Sequence, residues 1–484
     1  MAPSLLSRSK CRKRPGLSLL LPGILGFSMA WVQPGMARPI GFQMAVSLAL
    51  RTSPESAIRR AQVASARGRL TEARGRRLPH LGLEWAAGRS NDPLTVLGYR
   101  LSEGEASFGD LGLGSYTGPS SLDTQPGSLD NPGYADNFDT GIVLDVPLFA
   151  SGTHAAEERG ARALLDAREL HARASTGAVT FEVLRRYDGV HATRALLRAA
   201  RQAVRAARRD LRTARSLFRK GLVIRSDVLD ARAHLAEARA REEAARSGWQ
   251  DALDSFRIAL GLPTSSRITP GPAVVVRAPR GSLAELHSTL LRDNPDLRSL
   301  RARLRAQGSF LRATEDGRGP RLDLVLRHDW NGRTPSFHAP SNTFLLELRW
   351  NLYTAGVESG SESTARARRR KVRAELLETR RRLERTLIQG DRNVRVTAHE
   401  VRASRLAAHE ARLAAHLVDL RYRHGLGTLT QVLAAQARFE RAQARLVLSR
   451  YRLVLEQAAL RLTLDRFGPG TVIPAPSDSG HPGD

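Results

Sequence analysis

The chain has 484 residues, a formal net charge of +28 and only 5% aromatic residues. So few aromatic residues are unusual for the core of a compact domain of this size, whereas abundant alanine, leucine and arginine are typical of long helices that meet along seams. The single cysteine, Cys11, excludes an intrachain disulfide. A basic chain can bind nucleic acid, but its arginines are interspersed with acidic residues, which favours solvated helix faces.

Residues 1–37 are predicted to be a signal peptide. Five basic residues at positions 8–14 precede an apolar run at 17–30, and small-x-small cleavage sites follow. The run is short and is interrupted by Pro and Gly, which does not favour a membrane-spanning helix. Cys11 lies before the run, which argues against lipid attachment. The pattern therefore predicts secretion.

A helical stretch at about 45–77 is followed by two stretches with a period of two, which is typical of strands with one apolar face. Their apolar positions are Leu81, Leu83, Ile142, Leu144 and Val146. Residues 86–138 between them are rich in Gly, Ser, Asp and Pro and are predicted to be a long loop.

Two structures fit this alternation. One is an antiparallel sheet with one face on a core, and the other is a membrane barrel with lipid outside and water inside. The secretion signal, and the lack of a compact helical partner for the apolar face, favour the barrel.

A proline-free stretch at 153–220 predicts a helix roughly 100 Å long, at 1.5 Å per residue. Large apolar residues recur along it with a seven-residue spacing, at Val183, Val190, Leu197, Val204, Leu211 and Phe218. This spacing indicates a coiled-coil seam against another helix.

Gly221 is expected to end this helix with a positive φ, because glycine adopts that conformation without strain. A return helix follows at about 227–260, with Ser226 as its expected N-cap. In the second half, Gly425 and Thr430 are expected to play the same two roles.

The first structural repeat, 38–263, is followed by a Pro-rich linker, 264–282, which we place at mid-height of the molecule. The second repeat is predicted at 283–468 and a disordered C-terminal tail at 469–484. The apolar strand positions of the second repeat are Leu322, Leu324, Phe344, Leu346, Leu348 and Trp350.

The two halves repeat one pattern in the same order. FRKGLVIRSDVLDARAHLAEARA at 218–240 aligns with YRHGLGTLTQVLAAQARFERAQA at 422–444, a shift of 204 positions. LRTSPE at 50–55 aligns with LRDNPD at 291–296, a shift of 241 positions. The difference, 241 − 204 = 37 residues, falls between Leu83 and Leu144. We therefore predict an internal duplication in which the loop at 86–138 is longer in the first half.

These motifs resemble those of the outer-membrane efflux protein family, the TolC-like channels. The resemblance covers residues 40–468 and rests on the duplicated aromatic-x-x-Gly-Leu turn, the helix starts Ser53-Pro54 and Asn294-Pro295, and Pro-Leu-Phe leading into a long helix. It implies a mostly α chain with a small β part. Three copies of four strands would close a 12-stranded outer-membrane β-barrel, continued by a long α-helical barrel in the periplasm.

The resemblance also implies a function without enzyme chemistry or cofactors. The chain would be the outer-membrane channel of a tripartite efflux or type I secretion system. It would be a passive, water-filled duct that exports small molecules such as drugs, metals or other toxic compounds. Its partners would be two further copies of the chain, a periplasmic adaptor protein, an inner-membrane pump and outer-membrane lipid.

In this family the helical turns form the periplasmic gate and the adaptor-docking tip, which here corresponds to Gly221, Leu222, Ser226, Gly425, Leu426 and Thr430. Some members carry a ring of acidic residues in the second repeat, where this chain has Gln431 and Ala434. Asp227 and Asp230 stand in the first repeat instead, so Asp227, Asp230 and Gln431 are the candidate constriction residues. For Asp227, helix capping is the alternative role.

The strand positions given above, Leu81 to Trp350, would face lipid. The sequence contains no catalytic constellation, phosphate-binding glycine loop or Cys/His metal spacing. The alternative function is that of a secreted or cytosolic basic coiled-coil protein that binds an anionic partner such as nucleic acid. That alternative leaves the four amphipathic strands unexplained.

Overall fold

The structure, a computed structural model, describes residues 38–475, so the predicted signal peptide lies outside the described residues. Its first half contains β1 (Arg38–Ile40), α1 (Phe42–Thr52), α2 (Pro54–Gly75), β2 (His80–Ser90), α3 (Pro93–Ser102), α4 (Gly127–Asp130), β3 (Ala135–Phe149), α5 (Thr153–Arg219) and α6 (Arg225–Ala259). Its second half contains β4 (Ile268–Pro270), β5 (Val274–Val276), α7 (Leu283–Asp293), α8 (Pro295–Asp316), β6 (Arg321–Gly332), β7 (Pro340–Arg349), α9 (Val357–Arg423), α10 (Leu429–Thr463) and β8 (Val472–Pro474).

Corresponding helices of the two halves have equal lengths. α5 and α9 each have 67 residues, and α6 and α10 each have 35. α1 and α7 each have 11 residues, and α2 and α8 each have 22. At 1.5 Å per residue, α5 and α9 are about 100 Å long. In the described part of the chain, no helix combines the length and the apolar character needed to cross a membrane.

The strands β2, β3, β6 and β7 form one antiparallel sheet in that order. Leu81 pairs with Leu144, Leu144 with Leu326, and Leu326 with Phe344, so apolar residues form a row across all four strands. β2 and β7 are the edge strands, and their outer edges pair with no strand within residues 38–475.

The long helices pack along the predicted seam. Val183, Val190, Leu197, Val204 and Leu211 of α5 are all buried. Phe218 is wrong as the last seam residue, because it is 44% exposed and Leu217 is buried in its place. Leu217 lies three residues after the buried Ala214, so these two residues continue one buried stripe to the end of the helix.

Two small sheets join the linker to the two ends of the described part of the chain. β1 pairs with β4 in parallel, and β5 pairs with β8 in an antiparallel arrangement. The prediction of disorder from residue 469 is therefore wrong for 469–475, because β8 receives backbone pairing from the linker. Residues 476–484 lie outside the described part of the chain.

The loop predicted at 86–138 is shorter than expected. β2 continues to Ser90 and β3 begins at Ala135, so the connection is 91–134, and it contains α3 and α4. The first predicted helix is in fact two, because Pro54 begins α2 and Ser53 lies between α1 and α2 as the N-cap.

Candidate functional site: the sheet faces and the helical turns

One face of the four-stranded sheet is apolar and exposed. Strand register places all the predicted apolar positions on this face: Leu81, Leu83, Ile142, Leu144, Val146, Leu322, Leu324, Phe344, Leu346 and Leu348. Trp350 follows β7 directly and is also exposed. Leu83 is 73% and Phe344 77% exposed. A contiguous apolar surface of this size indicates contact with a partner or a membrane.

The opposite face of the sheet is polar and charged. It carries three arginines and six carboxylates: Arg321, Arg327, Arg349, Glu84, Asp139, Asp145, Asp323, Asp329 and Glu347. Arg327 donates hydrogen bonds to Glu84 Oε2 at 2.8 Å, to Asp139 Oδ2 at 3.0 Å and to Asp329 Oδ1 at 2.5 Å. One guanidinium group therefore links β2, β3 and β6.

The turns at Gly221 and Gly425 have the same geometry. Gly221 has φ +73° and Gly425 has φ +75°. The Gly221 N–H donates to the Phe218 carbonyl, and the Leu222 N–H donates to the Leu217 carbonyl. The equivalent bonds run from Gly425 to Tyr422 and from Leu426 to Arg421. Both turns are thus Schellman motifs, in which glycine takes the left-handed position. The expected positive φ at both glycines is confirmed.

The expected N-caps are wrong in both halves. Ser226 and Thr430 each occupy the second position of a helix, and the caps are Ile224 and Thr428, two residues earlier. Thr428 forms a capping box: its Oγ1 accepts from the Gln431 N–H at 3.3 Å, and Gln431 Oε1 accepts from the Thr428 N–H at 3.3 Å. The Ile224 side chain cannot accept a hydrogen bond, so of the two turns only the second contains a capping box.

The two helical hairpins pack together in one apolar cluster near the turns. Its buried members from the first hairpin include Leu211, Leu217 and Leu235, and those from the second are Tyr422, Leu429 and Val432. Burial raises the pKa of Tyr422, and the charges of Asp227 and Asp210 raise it further. Asp227 therefore lies beside the second hairpin rather than pointing only into solvent.

A model of the outer membrane efflux protein family matches residues 45–262 and 286–465. The chain belongs to the outer membrane efflux protein family. The protein is therefore located in the bacterial outer membrane, and it functions in efflux rather than in enzyme catalysis. No curated protein sequence matches the chain significantly.

Solved structures of membrane proteins share the fold of this outer membrane efflux protein. VceC from Vibrio cholerae is 17% identical with a TM-score of 0.72, and the match covers 88% of this chain and 96% of VceC. The CmeC channel from Campylobacter jejuni is 14% identical with a TM-score of 0.73, and the match covers 88% and 86% of the two chains. A membrane protein from Pseudomonas aeruginosa is 20% identical with a TM-score of 0.73, and the match covers 87% and 93%.

The three candidate constriction residues of this efflux protein have different surroundings. Asp227 is partly buried in the first turn of α6, where it forms no side-chain cap. Asp230 is exposed, and the Gln431 side chain is held in the capping box. The charge of Asp227 raises the pKa of Tyr422, after the larger effect of burial, but the three candidate residues do not have equal access to solvent.

Sequence reasoning missed two residues near the turns. Gln436 Nε2 of α10 donates to Asp210 Oδ2 of α5 at 2.8 Å. Gln436 lies within the repeated stretch at 422–444, but Asp210 precedes its counterpart at 218–240, so only the packing of one hairpin against the other reveals the pair. Within residues 38–475, no group of three or more His, Cys, Asp and Glu side chains is arranged to hold a metal ion.

Proposed function

We propose that three copies of the chain form a homotrimer whose 12-stranded β-barrel spans the outer membrane and whose helices form a tube in the periplasm. The trimer is the channel component of a tripartite efflux or type I secretion system. It exports small molecules passively, and an adaptor protein and an inner-membrane pump complete the system. The barrel and tube arise from an internal duplication.

The observation that carries this proposal is the four-stranded sheet with two unpaired edges. Unpaired backbone N–H and C=O groups are costly in lipid, so a spanning sheet must close on itself. Four strands are too few for a barrel, since natural outer-membrane barrels have at least about eight. Pairing of β2 of one copy with β7 of the next removes both edges.

The two faces of the sheet support the same arrangement. The face of Leu81, Leu83, Phe344, Leu346 and Leu348 would meet lipid, because it is exposed and apolar. The face of Arg327 and its carboxylate partners would line a wet interior, where charges stay hydrated. The 67-residue helices then extend about 100 Å away from the membrane.

The turns would form the tip that binds the adaptor. Leu222 is 63% and Leu426 is 70% exposed, so each turn presents one apolar side chain beside its glycine. Ser226 and Thr430 are exposed on the following helices. Asp227 and Asp230, together with Gln431, would line the constriction at this end.

Cysteine crosslinking between the edge strands tests the trimer. In a Cys11→Ser chain, Leu83→Cys on β2 is combined in turn with Asn342→Cys, Phe344→Cys, Leu346→Cys or Leu348→Cys on β7. One combination should give crosslinked products that end at three chains. The Ile142→Cys and His328→Cys pair is the matched control, because these positions already face each other within one chain and should crosslink as a monomer.

Products that end at two chains, or continue beyond three, contradict the proposed closure. The alternative of a basic coiled-coil protein that binds nucleic acid predicts no crosslinking between β2 and β7. Family membership and the exposed sheet face both favour the channel.

A further inference from the structure

The connection between β2 and β3, residues 91–134, folds over the polar face of the sheet. Tyr99 of α3 lies against Gly88 of β2 and leaves no space for a β-carbon there. Gly88 lies on the same face as Glu84, whose partner is Arg327. α3 also contacts β3 and β6, the two central strands. The connection therefore covers the polar face at the end of the sheet farthest from the long helices.

The helix α3 has two distinct sides. Val96 is buried and Tyr99 is partly buried on the side that meets the sheet. Leu94, Gly98 and Leu101 lie on the other side, at spacings of four and three residues, which place them in one stripe. Leu94 is 81% and Leu101 is 57% exposed. We call these three residues the α3 stripe.

Ion pairs hold α3 in this position. The Asp92 side chain caps the helix by accepting from the Thr95 N–H at 3.0 Å. Arg333, in the β6–β7 connection, lies 2.9 Å from Glu105 Oε2 and 3.5 Å from Glu103 Oε2. Burial raises the pKa of Glu103, and the Arg333 hydrogen bond and charge partly offset this effect. α3 is thus tied to the opposite hairpin of the sheet.

We propose that the partner of the α3 stripe is a second copy of the same chain, so that three stripes meet on the barrel axis and close its outer mouth. This inference rests on the proposed trimer. If the polar face lines the interior, the side of α3 away from the sheet points toward the axis. The two exposed leucines of each chain would then be buried by contact with the other copies.

The composition of the stripe fits such a contact. Gly98 stands between the two leucines, and the space around it is open, so helices can approach closely at this point. A ring of leucines is also a barrier to ions, because a narrow apolar constriction loses its water. The closure lies at the opposite end of the molecule from the turns at Gly221 and Gly425, so export requires a second opening step.

Single cysteines in the full-length Cys11→Ser chain test whether the α3 stripes of different copies meet. Leu94→Cys and Leu101→Cys should give products linked between copies when assembled trimers are treated with a short bismaleimide. Leu122→Cys is the matched control, because Leu122 is 73% exposed in the same connection but lies off α3. It should give no linked product. Absence of linkage at positions 94 and 101 in intact trimers overturns the proposal.

The test of closure is conductance in planar bilayers. The double variant Leu94→Lys and Leu101→Lys places positive charges together on the axis. In trimers whose turns are disrupted by Gly425→Val, so that the other end of the tube does not limit the current, this double variant should raise conductance above that of Gly425→Val alone. Leu122→Lys should leave conductance unchanged. Unaltered conductance of the double variant overturns the closure. A chain that yields neither trimers nor conductance overturns the trimer proposal itself, which is a different result from conducting trimers that show no linkage.

Discussion

Asp210 of α5 and Gln436 of α10 join the two helical hairpins through a hydrogen bond of 2.8 Å. Asp210 is 4% exposed, and burial raises the pKa of its carboxyl group, while the Gln436 hydrogen bond partly offsets this rise. A neutral donor thus stabilises a carboxylate that is otherwise poorly solvated. This hydrogen bond connects the two hairpins near the turns, so weakening it should loosen their packing there.

Replacement of Gln436 by glutamate should loosen this contact. Two carboxyl groups would then face each other, and the folded state would favour their neutral forms. A carboxyl group whose pKa is raised in the folded state stabilises the fold at a pH below its unfolded pKa, and this stability is lost as the pH rises through its folded pKa. The contact should therefore be looser at pH 8 than at pH 4. Hydrogen exchange of residues 207–217 measures it. Gln202→Glu, at an exposed position of α5, is the control, and equal exchange in both variants would contradict the prediction.

Asp188 should make the protein less stable at alkaline pH. Burial raises the pKa of Asp188 to about 7. Burial and, to a smaller extent, the charge of Asp188 also raise the pKa of Tyr187 and Tyr451. The neutral carboxyl is favoured by folding, so the stability is present below about pH 4 and is lost as pH rises toward 7. Asp188→Asn should therefore stabilise the fold at pH 8 by up to about 4 kcal/mol, and by nothing at pH 4.

Thermal unfolding followed by circular dichroism across that pH range measures this difference. Asp251→Asn, at an exposed position of α6, is the matched control and should show no such pH dependence. A gain at Asp188 that is the same at pH 4 and pH 8 would rule out ionisation as its cause.

Valine at Gly221 or Gly425 should disrupt the turns. Both glycines have a positive φ, and a β-branched residue in that conformation costs on the order of 1–2 kcal/mol or more. If the proposed function is right, we expect a lower yield of the proposed trimer and increased sensitivity of cells to exported compounds. Gly248→Val is the matched control, because Gly248 lies inside α6 in open space without a positive φ. Unchanged yield and sensitivity in the turn variants would count against the assigned role.

Arg327→Met should weaken the sheet, because it leaves Glu84, Asp139 and Asp329 without their shared partner. Arg327→Lys should restore the sheet only in part, since an ammonium group lacks the planar fork of donors. Heat resistance of the proposed trimer on a denaturing gel measures the effect. Arg89→Met, which removes an exposed pair with Asp136, should cost less than about 1 kcal/mol. An equal loss in Arg89→Met would show that the network around Arg327 stabilises the sheet no more than an exposed ion pair does.

The helices and the strand faces were predictable because both depend on local periodicity. The helix expected at 153–220 is α5, Thr153–Arg219, and the turn glycines were recognisable from their steric freedom. The turn between helices was less predictable: Thr428 caps α10 rather than Thr430, because the chain re-enters the helix two residues earlier than the motif suggests.

Features that depend on distant contacts could not be predicted. The composition of 91–134 is typical of a loop, yet Tyr99 against Gly88 and Arg333 beside Glu105 hold α3 in place. β8 is ordered by pairing with β5, almost 200 residues earlier in the chain (472 − 276 = 196). The Asp210–Gln436 bond spans 226 residues and likewise leaves no local signal.

The equal lengths of α5 and α9 restrict how such a protein can evolve. Insertion of one residue into α5 alone would shift its turn by 1.5 Å and rotate it by about 100° relative to the turn of α9. The apolar seams of the two helices would then no longer be in register. Insertions and deletions in the helices should therefore survive only when both halves change together.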